Sequence, residues 1–419
     1  MAEAFIVDAV RTPRGLGKAG KGALSHLHPH HLAATVLKAL RDRNGLDTRL
    51  VGDVIWSVTH QRREQSCDLG RMAALLAGYD LDVSGVTLDR FCGGGITAVS
   101  LAAAQIMAGI ETCMIGGGSE MMSLTSQFAQ MEAKAGWQSL GIAAGDEALQ
   151  ALYPQCAQGV SADAIATIEG ITREQLDHAA LASQQRASFA IAAGHFDRSI
   201  VAVLNADGSV ALSRDEYPRP ETTIDKLSAL KPAFGELADS SLGIFAETHR
   251  QAINRRYPGL EIQHVHHAGN SSGVVDGAAG ILLASEACLR RMNWRPRARI
   301  VAMANAGDDP TLMLNAPVPA ARKVLERAGL GIDDIDLWEI NEAFAVVSEK
   351  FIRDLGLDRA KVNVNGGAIA LGHPIGATGA ILIGTILEEL ERIGKRLGLV
   401  TMCASGGMAP AIIIERVDG

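Results

Sequence analysis

The chain has 419 residues, too many for one ordinary core and enough for two or three domains. Apolar residues make up 47% and charged residues 21%, the composition of a soluble globular protein and not of a disordered one. A net charge of −8 argues against a generally basic nucleic-acid binder.

Residues 1–8 lack the basic and long apolar segments of a secretory signal, and no apolar run approaches ~18 residues, so no membrane span is expected. Residues 5–10 are apolar and β-prone. Residues 33–40 read as a helix that ends near Asn44-Gly45. Residues 53–58 and 86–91 read as strands. After Cys92-Gly93-Gly94-Gly95, the apolar Ile96, Val99, Ala103, Ile106 and Ile110 keep helical spacing. Residues 112–115 read as a short strand ending in Gly116-Gly117-Gly118.

From about 123 to 269 the texture is polar and irregular, and includes Tyr217-Pro-Arg-Pro220 and the group His264, His266, His267. One helix stands out there: Thr172 is its N-cap and Gln175 completes a capping box. Beyond this stretch the first pattern returns. Residues 320–328 form a helix ended by Gly329, and 335–340 resembles 53–58 with Trp338 in the place of Trp56. Asn365-Gly366-Gly367-Ala368 stands where Cys92 to Gly95 stood, and strand 397–402 leads into Cys403-Ala404-Ser405-Gly406-Gly407. The repeated order implies two related α/β halves, each a sheet covered by helices, with a large insertion between them.

The glycine clusters carry the candidate chemistry. Cys92 lies between a strand and a helix start, where the helix dipole favours a thiolate and small neighbours admit a bulky thioester. It reads equally as a buried structural cysteine. His373 lies in the run Gly366 to Gly376, ahead of an apolar helix, as a base for a thiol or as a turn histidine. Cys403 gains weight as a second glycine-flanked cysteine in the other half. Asn341-Glu342-Ala343-Phe344 follows a strand and also reads as an ordinary helix N-cap. The six cysteines (67, 92, 113, 156, 288 and 403) are scattered, which fits a reducing compartment such as the cytoplasm. They form no Cys-x-x-Cys signature, and no metal is expected.

Six segments, in order and over nearly the whole chain, resemble the thiolase family. They are Arg11-Thr-Pro13, Asp89-Arg-Phe-Cys-Gly-Gly-Gly95, Ala268-Gly-Asn-Ser-Ser-Gly273 with Asp276-Gly-Ala-Ala279, Asn341-Glu-Ala-Phe344, Gly366 to Gly376, and Cys403-Ala-Ser-Gly-Gly407. The resemblance implies two duplicated βαβαβαββ halves in α/β/α/β/α layers. Their boundaries are 1–121 with 275–295 for the first half, 122–274 for an inserted loop domain, and 296–419 for the second half. It implies CoA-dependent cleavage of 3-ketoacyl-CoA, or the reverse Claisen condensation, through an acyl group on Cys92. His373 then activates Cys92 and Cys403 is the second acid/base. Asn341, through a water, and His373 hold the thioester oxygen, and the backbone N–H groups of Cys92 and Ser405 form a second oxyanion site. Ser272, Phe234, Ala157 and Gln158 are the expected CoA and substrate contacts. No permanently bound cofactor is implied, only CoA and acyl-CoA as substrates, with a homodimer or homotetramer as the assembly.

The chain departs from the family pattern in places. Ser405 and Ala409 stand where glycine is common, and Cys156-Ala157-Gln158-Gly159 stands where acetoacetyl-CoA thiolases show His-Met-Gly. The stretch from Phe234 to Ala268 is long. These features argue against a dedicated acetoacetyl-CoA-forming acetyltransferase. Other readings are a β-ketoacyl synthase, which would use two histidines, or a histidine and an asparagine, instead of Cys403, and a non-catalytic acyl-CoA or lipid binder, which should have lost one of Cys92, His373 and Cys403.

Overall fold

Alternating apolar runs pair into one twisted sheet. A computed structural model describes residues 2–417. Its main strands are β1 (Ala4–Arg11), β2 (Asp53–Ser57), β3 (Ser84–Leu88), β4 (Cys113–Met121), β5 (Val275–Ser285), β6 (Ala298–Gly307), β7 (Leu337–Ile340), β8 (Leu397–Thr401) and β9 (Met408–Arg416). Their spatial order is β7-β8-β9-β6-β1-β5-β4-β2-β3. The order mirrors itself about β1 and β6, which are joined only through Phe5↔Arg299 and Ile6↔Ala298. On each side an antiparallel pair (β5–β4, β9–β8) is followed by a parallel one (β4–β2, β8–β7).

The helices that matter for the site are α1 (Pro29–Asn44), α2 (Leu69–Leu76), α3 (Gly94–Met107), α4 (Gln158–Glu169), α5 (Arg173–Ala192), α6 (Pro317–Ala328), α7 (Ala345–Leu355) and α8 (Ile375–Ile393). Side-chain alternation along the strands sorts them into layers. Val54, Trp56, Ile115 and Leu282 face α1 and α2 in one outer core. Ile55, Met114, Leu283, Val400, Ile412 and Ile414 face the opposite way, onto α3 and α8. Trp338, Leu399 and Ile413 face α6 and α7 in a third core, which Val160, Ile165 and Leu176 of the insertion join. The result is the α/β/α/β/α stack, with α3 and α8 as the central layer.

Two sequence expectations need correction. The strand expected at 112–115 runs on through Gly116–Gly118 to Met121. These glycines stand where neighbours crowd the strand: a Cβ on Gly116 would sit 2.6 Å from the Cα of Val99, one on Gly117 2.8 Å from the Cα of Gly280, and one on Gly118 would overlap Gly376 O. The segment opposite Cys92 is not Asn365 to Ala368. Asn365 serves structure, bonding His195 Nδ1 at 2.8 Å and Glu389 at 3.0 Å. The residue that stands before α8 as Cys92 stands before α3 is His373, two positions ahead of the helix in each case.

Helices α3 and α8 touch backbone to backbone. A Cβ on Gly95 would lie 2.8 Å from the nitrogen of Gly379, and one on Gly379 would overlap the nitrogen of Ile96. The insertion adds the capped helix α5, whose Thr172–Gln175 box is present, and a small hairpin of Val203–Leu204 with Val210–Leu212. It is fastened to β1 by Arg11, whose guanidinium grips Asp215 at 2.7 and 2.8 Å with both side chains buried. Among the described residues, no helix is long and apolar enough to cross a membrane.

Candidate active site

The turn from β3 to α3 is tight. Phe91 has φ 48°, a costly backbone for an aromatic residue, and Asp89 holds it by accepting the Phe91 N–H at 2.6 Å. A Cβ on Gly93 would lie 2.7 Å from Pro410 Cδ, so the Cys92 turn rests on the hairpin that carries Ser405. That hairpin is closed by Ala404 N–H to Met408 O at 2.7 Å and by Met408 N–H to Ala404 O at 3.2 Å. Cys403 follows β8 by two residues and is fully buried.

Burial pushes the Cys92 thiol up to about 12. A hydrogen bond from Gln158 opposes the shift, and the charges of Glu120 and Asp89 add to it. The helix start was expected to favour a thiolate; burial acts in the opposite direction. Burial, and then the neighbouring Cys92, raise Cys403 as well.

His373 is buried, and burial followed by the charge of Arg14 brings it down to about 3. It is neutral, and its tautomer follows from its partners. Thr378 Oγ1 lies 3.0 Å from Pro374 O, to which it donates, and 2.6 Å from His373 Nδ1, from which it then accepts. This pattern favours the tautomer with the proton on Nδ1 and the lone pair on Nε2. Asn341 Nδ2 lies 3.4 Å from that Nε2. Asn341 is not a helix cap: α7 begins at Ala345 with Phe344 before it, while the Asn341 side chain turns to the imidazole. Arg14 and Glu339 share a small pocket with Asn341 and Thr378. Burial holds Glu339 well above the usual carboxylate range.

Of the expected substrate contacts, Ser272 is half-buried and its N–H donates to Ala343 O at 3.0 Å, while Gly273 O accepts from His373 N–H at 2.8 Å. Ser272 is thus fixed between the Asn341 and His373 segments. Phe234 stacks edge-on against Phe344 at 5.8 Å and presses on Gly159. Ala157 precedes α4, with its N–H on His249 Nδ1 at 3.0 Å. Gln158 opens α4 and donates to Ser405 Oγ at 2.7 Å. The three-histidine group serves packing: His264 and His266 share Asp163, and His267 bonds Asp177, each at 2.8 Å. Among the described residues, no group of three His, Cys, Asp or Glu could hold a metal ion.

Sequence reasoning missed two residues. Thr378 fixes the tautomer, and its signal was a hydroxyl five positions after His373. Glu120 closes β4 and accepts from Thr59 N–H at 3.0 Å, His60 N–H at 3.1 Å and Gly376 N–H at 3.2 Å. It ties the start of α8 to the first half; a carboxylate directly after Gly116-Gly117-Gly118-Ser119 was the available clue.

The two thiols are neighbours, the imidazole and the amide are 3.4 Å apart, and the helix starts that carry Cys92 and His373 meet at Gly95 and Gly376; together these groups are the equipment of covalent acyl transfer. The thiolase N-terminal domain family matches residues 4–238 and the thiolase C-terminal domain family matches residues 294–416. A steroid 3-ketoacyl-CoA thiolase of Mycobacterium tuberculosis is 40% identical over 100% of this chain and 95% of its own. A β-ketoadipyl-CoA thiolase of Escherichia coli is 41% identical over 100% of both chains. The crystal structure of the Bacillus anthracis acetyl-CoA acetyltransferase superposes with a TM-score of 0.81 at 35% identity, covering 100% of this chain and 99% of that one. The chain belongs to the thiolase family.

Proposed function

We propose that Cys92 is the nucleophile in CoA-dependent cleavage of a 3-ketoacyl-CoA, the acyltransferase reaction of the thiolase family. His373 Nε2 takes the thiol proton as sulfur attacks the 3-keto carbon. The C2–C3 bond then breaks, leaving the acyl group on Cys92 and the enolate of acetyl-CoA. Cys403, held protonated by burial, gives its proton to the enolate carbon. It recovers that proton from the incoming CoA thiol, whose sulfur displaces Cys92 to give the shortened acyl-CoA, and His373 returns its proton to the departing Cys92 sulfur. The enolate oxygen is held by Asn341, through a water, and by the newly protonated His373. The acyl oxygen is held by the N–H groups of Cys92 and Ser405. The observation that carries this reading is the setting of the buried His373, with Nδ1 2.6 Å from Thr378 Oγ1 and Nε2 3.4 Å from Asn341 Nδ2. Mass spectrometry after mixing with acetyl-CoA tests it. The expected adduct is on Cys92, and an adduct confined to another cysteine overturns the assignment.

On the substrate side, the relatives at 38–41% identity are named for 3-ketoacyl, steroid 3-ketoacyl and β-ketoadipyl thioesters. Together with Ala157 in place of a histidine, this supports an acyl group larger than acetoacetyl. Values of kcat/KM over β-ketoacyl-CoAs of increasing length and branching test it, and a steep preference for acetoacetyl-CoA would refute it. Ser272 and Phe234 line the approach from the CoA side, within the loop domain 122–274. No permanent cofactor takes part. The assembly is a homodimer or homotetramer in the cytoplasm. Strand β3 is a sheet edge with Val86 exposed, the kind of edge a second copy covers. Light scattering that finds only a 44.1 kDa species at micromolar concentration overturns the assembly.

A further inference from the structure

Two departures from the family pattern, Gln158 in the insertion and Ser405 in the C-terminal turn, are far apart in sequence and bonded in space. Gln158 Nε2 donates to Ser405 Oγ at 2.7 Å. The same side chain is among the groups that act on the Cys92 thiol, in the sense that favours its thiolate. An amide nitrogen carries two hydrogens, so one can serve each acceptor. The backbone on both sides of Gln158 is fixed, by His249 on the Ala157 N–H and by the Phe234 ring against Gly159. Ser405 is buried; its oxygen takes the Gln158 hydrogen, and among the described residues its own proton has no acceptor.

We propose that Gln158 and Ser405 are a coupled donor pair of this site: the Gln158 amide holds the Cys92 thiolate and orients the Ser405 hydroxyl toward the acyl oxygen of the Cys92 thioester. This rests on Cys92 being the nucleophile. Burial leaves that sulfur neutral at rest, and no cation is among the groups that shift it. A donor aimed at the sulfur therefore supplies stabilisation that solvent and ion pairing do not. Methionine at 158 offers no donor, and glycine at 405 offers no hydroxyl. Removing Gln158 leaves the buried Ser405 hydroxyl without its donor, and removing Ser405 takes one acceptor from the half-buried amide, so the two are coupled.

The test uses the full-length protein with Gln158→Met, Ser405→Gly and both changes combined. The first readout is the pH profile of iodoacetamide alkylation, followed by mass spectrometry on the Cys92 peptide. Gln158→Met is expected to move the midpoint upward and to slow alkylation near neutral pH by about tenfold. The second is the acylation rate with acetyl-CoA. Each single change should slow it by about tenfold, and the double should be no slower than the worse single. Gln158→Leu, apolar and of similar size, gives the same readouts where the methionine variant does not fold. An unshifted alkylation profile in a folded Gln158 variant overturns the pair, as do losses that multiply in the double. If the unaltered protein is not acylated at Cys92, the nucleophile assignment falls instead, and the alkylation profile separates that failure from this one.

Discussion

Thr97 and Thr378 occupy the same turn of the two central helices. Each hydroxyl bonds the carbonyl four residues back, Gly93 O at 2.9 Å and Pro374 O at 3.0 Å. Five positions before each threonine stands the residue that matters, Cys92 in the first half and His373 in the second. One backbone device is therefore used twice with different chemistry at its tip. The strand ends beside these helix starts diverge in the same way. In the first half Glu120 fastens loops and the start of α8; in the second Cys403 is left free of such bonds. The first half supplies a sulfur and a rigid seat, and the second supplies groups that move protons.

The sharpest way to break this division is at the helix starts. Cys92→Ala should reduce thiolysis and acyl exchange to background, with no covalent adduct in the mass spectrum. Cys403→Ser should lower turnover by about 10²–10⁴-fold while acylation of Cys92 by acetyl-CoA persists in rapid-quench measurements. If acylation falls as far as turnover, the proton work is not separable from the nucleophile. Next in size is a matched pair of changes. Thr378→Val leaves the His373 Nδ1–H without an acceptor and should cost about 1–3 kcal/mol in kcat/KM. Thr97→Val, at the equivalent position, should cost under about 1 kcal/mol of stability and leave kcat/KM nearly unchanged. Equal kinetic losses in the two variants would show that the threonines matter only to their helices.

The smallest effect is an absence of pH dependence. With His373 near 3 and Cys92 near 12, the rate of Cys92 acylation should show no ionisation limb between pH 5 and 8. Stability behaves differently. An unfolded His373 takes up a proton near 6.5, whereas the buried one does so only near 3. The unfolded state binds more protons in that window, so this contribution to stability is full above about 6.5 and is lost as pH falls toward 3. Acid denaturation followed by circular dichroism, with His373→Asn as reference, measures it.

Much of this was legible in the sequence. Cys92, His373, Cys403 and Asn341 announced themselves through glycine clusters, and glycine is demanded where backbones crowd. The Trp56–Trp338 likeness showed the duplication because both indoles face outer cores of the same kind. What stayed hidden was non-local. Strand β4 runs through three glycines because α3, β5 and the start of α8 crowd them in turn, a fact that no window of sequence contains. Asn341 looked like a cap because its local sequence is that of one. The state of the Cys92 thiol depends on burial by segments from both ends of the chain, and a helix start alone points the wrong way. Gln158 reads from the sequence as a CoA or substrate contact, and its bond to Ser405 needed the fold.

The glycine contact between α3 and α8 has a consequence for the history of the chain. Where two backbones touch without a side chain between them, a substitution at Gly95 or Gly379 has nowhere to go, and the reacting groups are inherited as one block. Novelty must enter elsewhere, through the insertion, whose residues 157–159 and 234 approach that block from outside. A lineage of such proteins can change what it consumes by rewriting its insertion while the chemistry passes on untouched, and a laboratory library seeking new substrates should be built there.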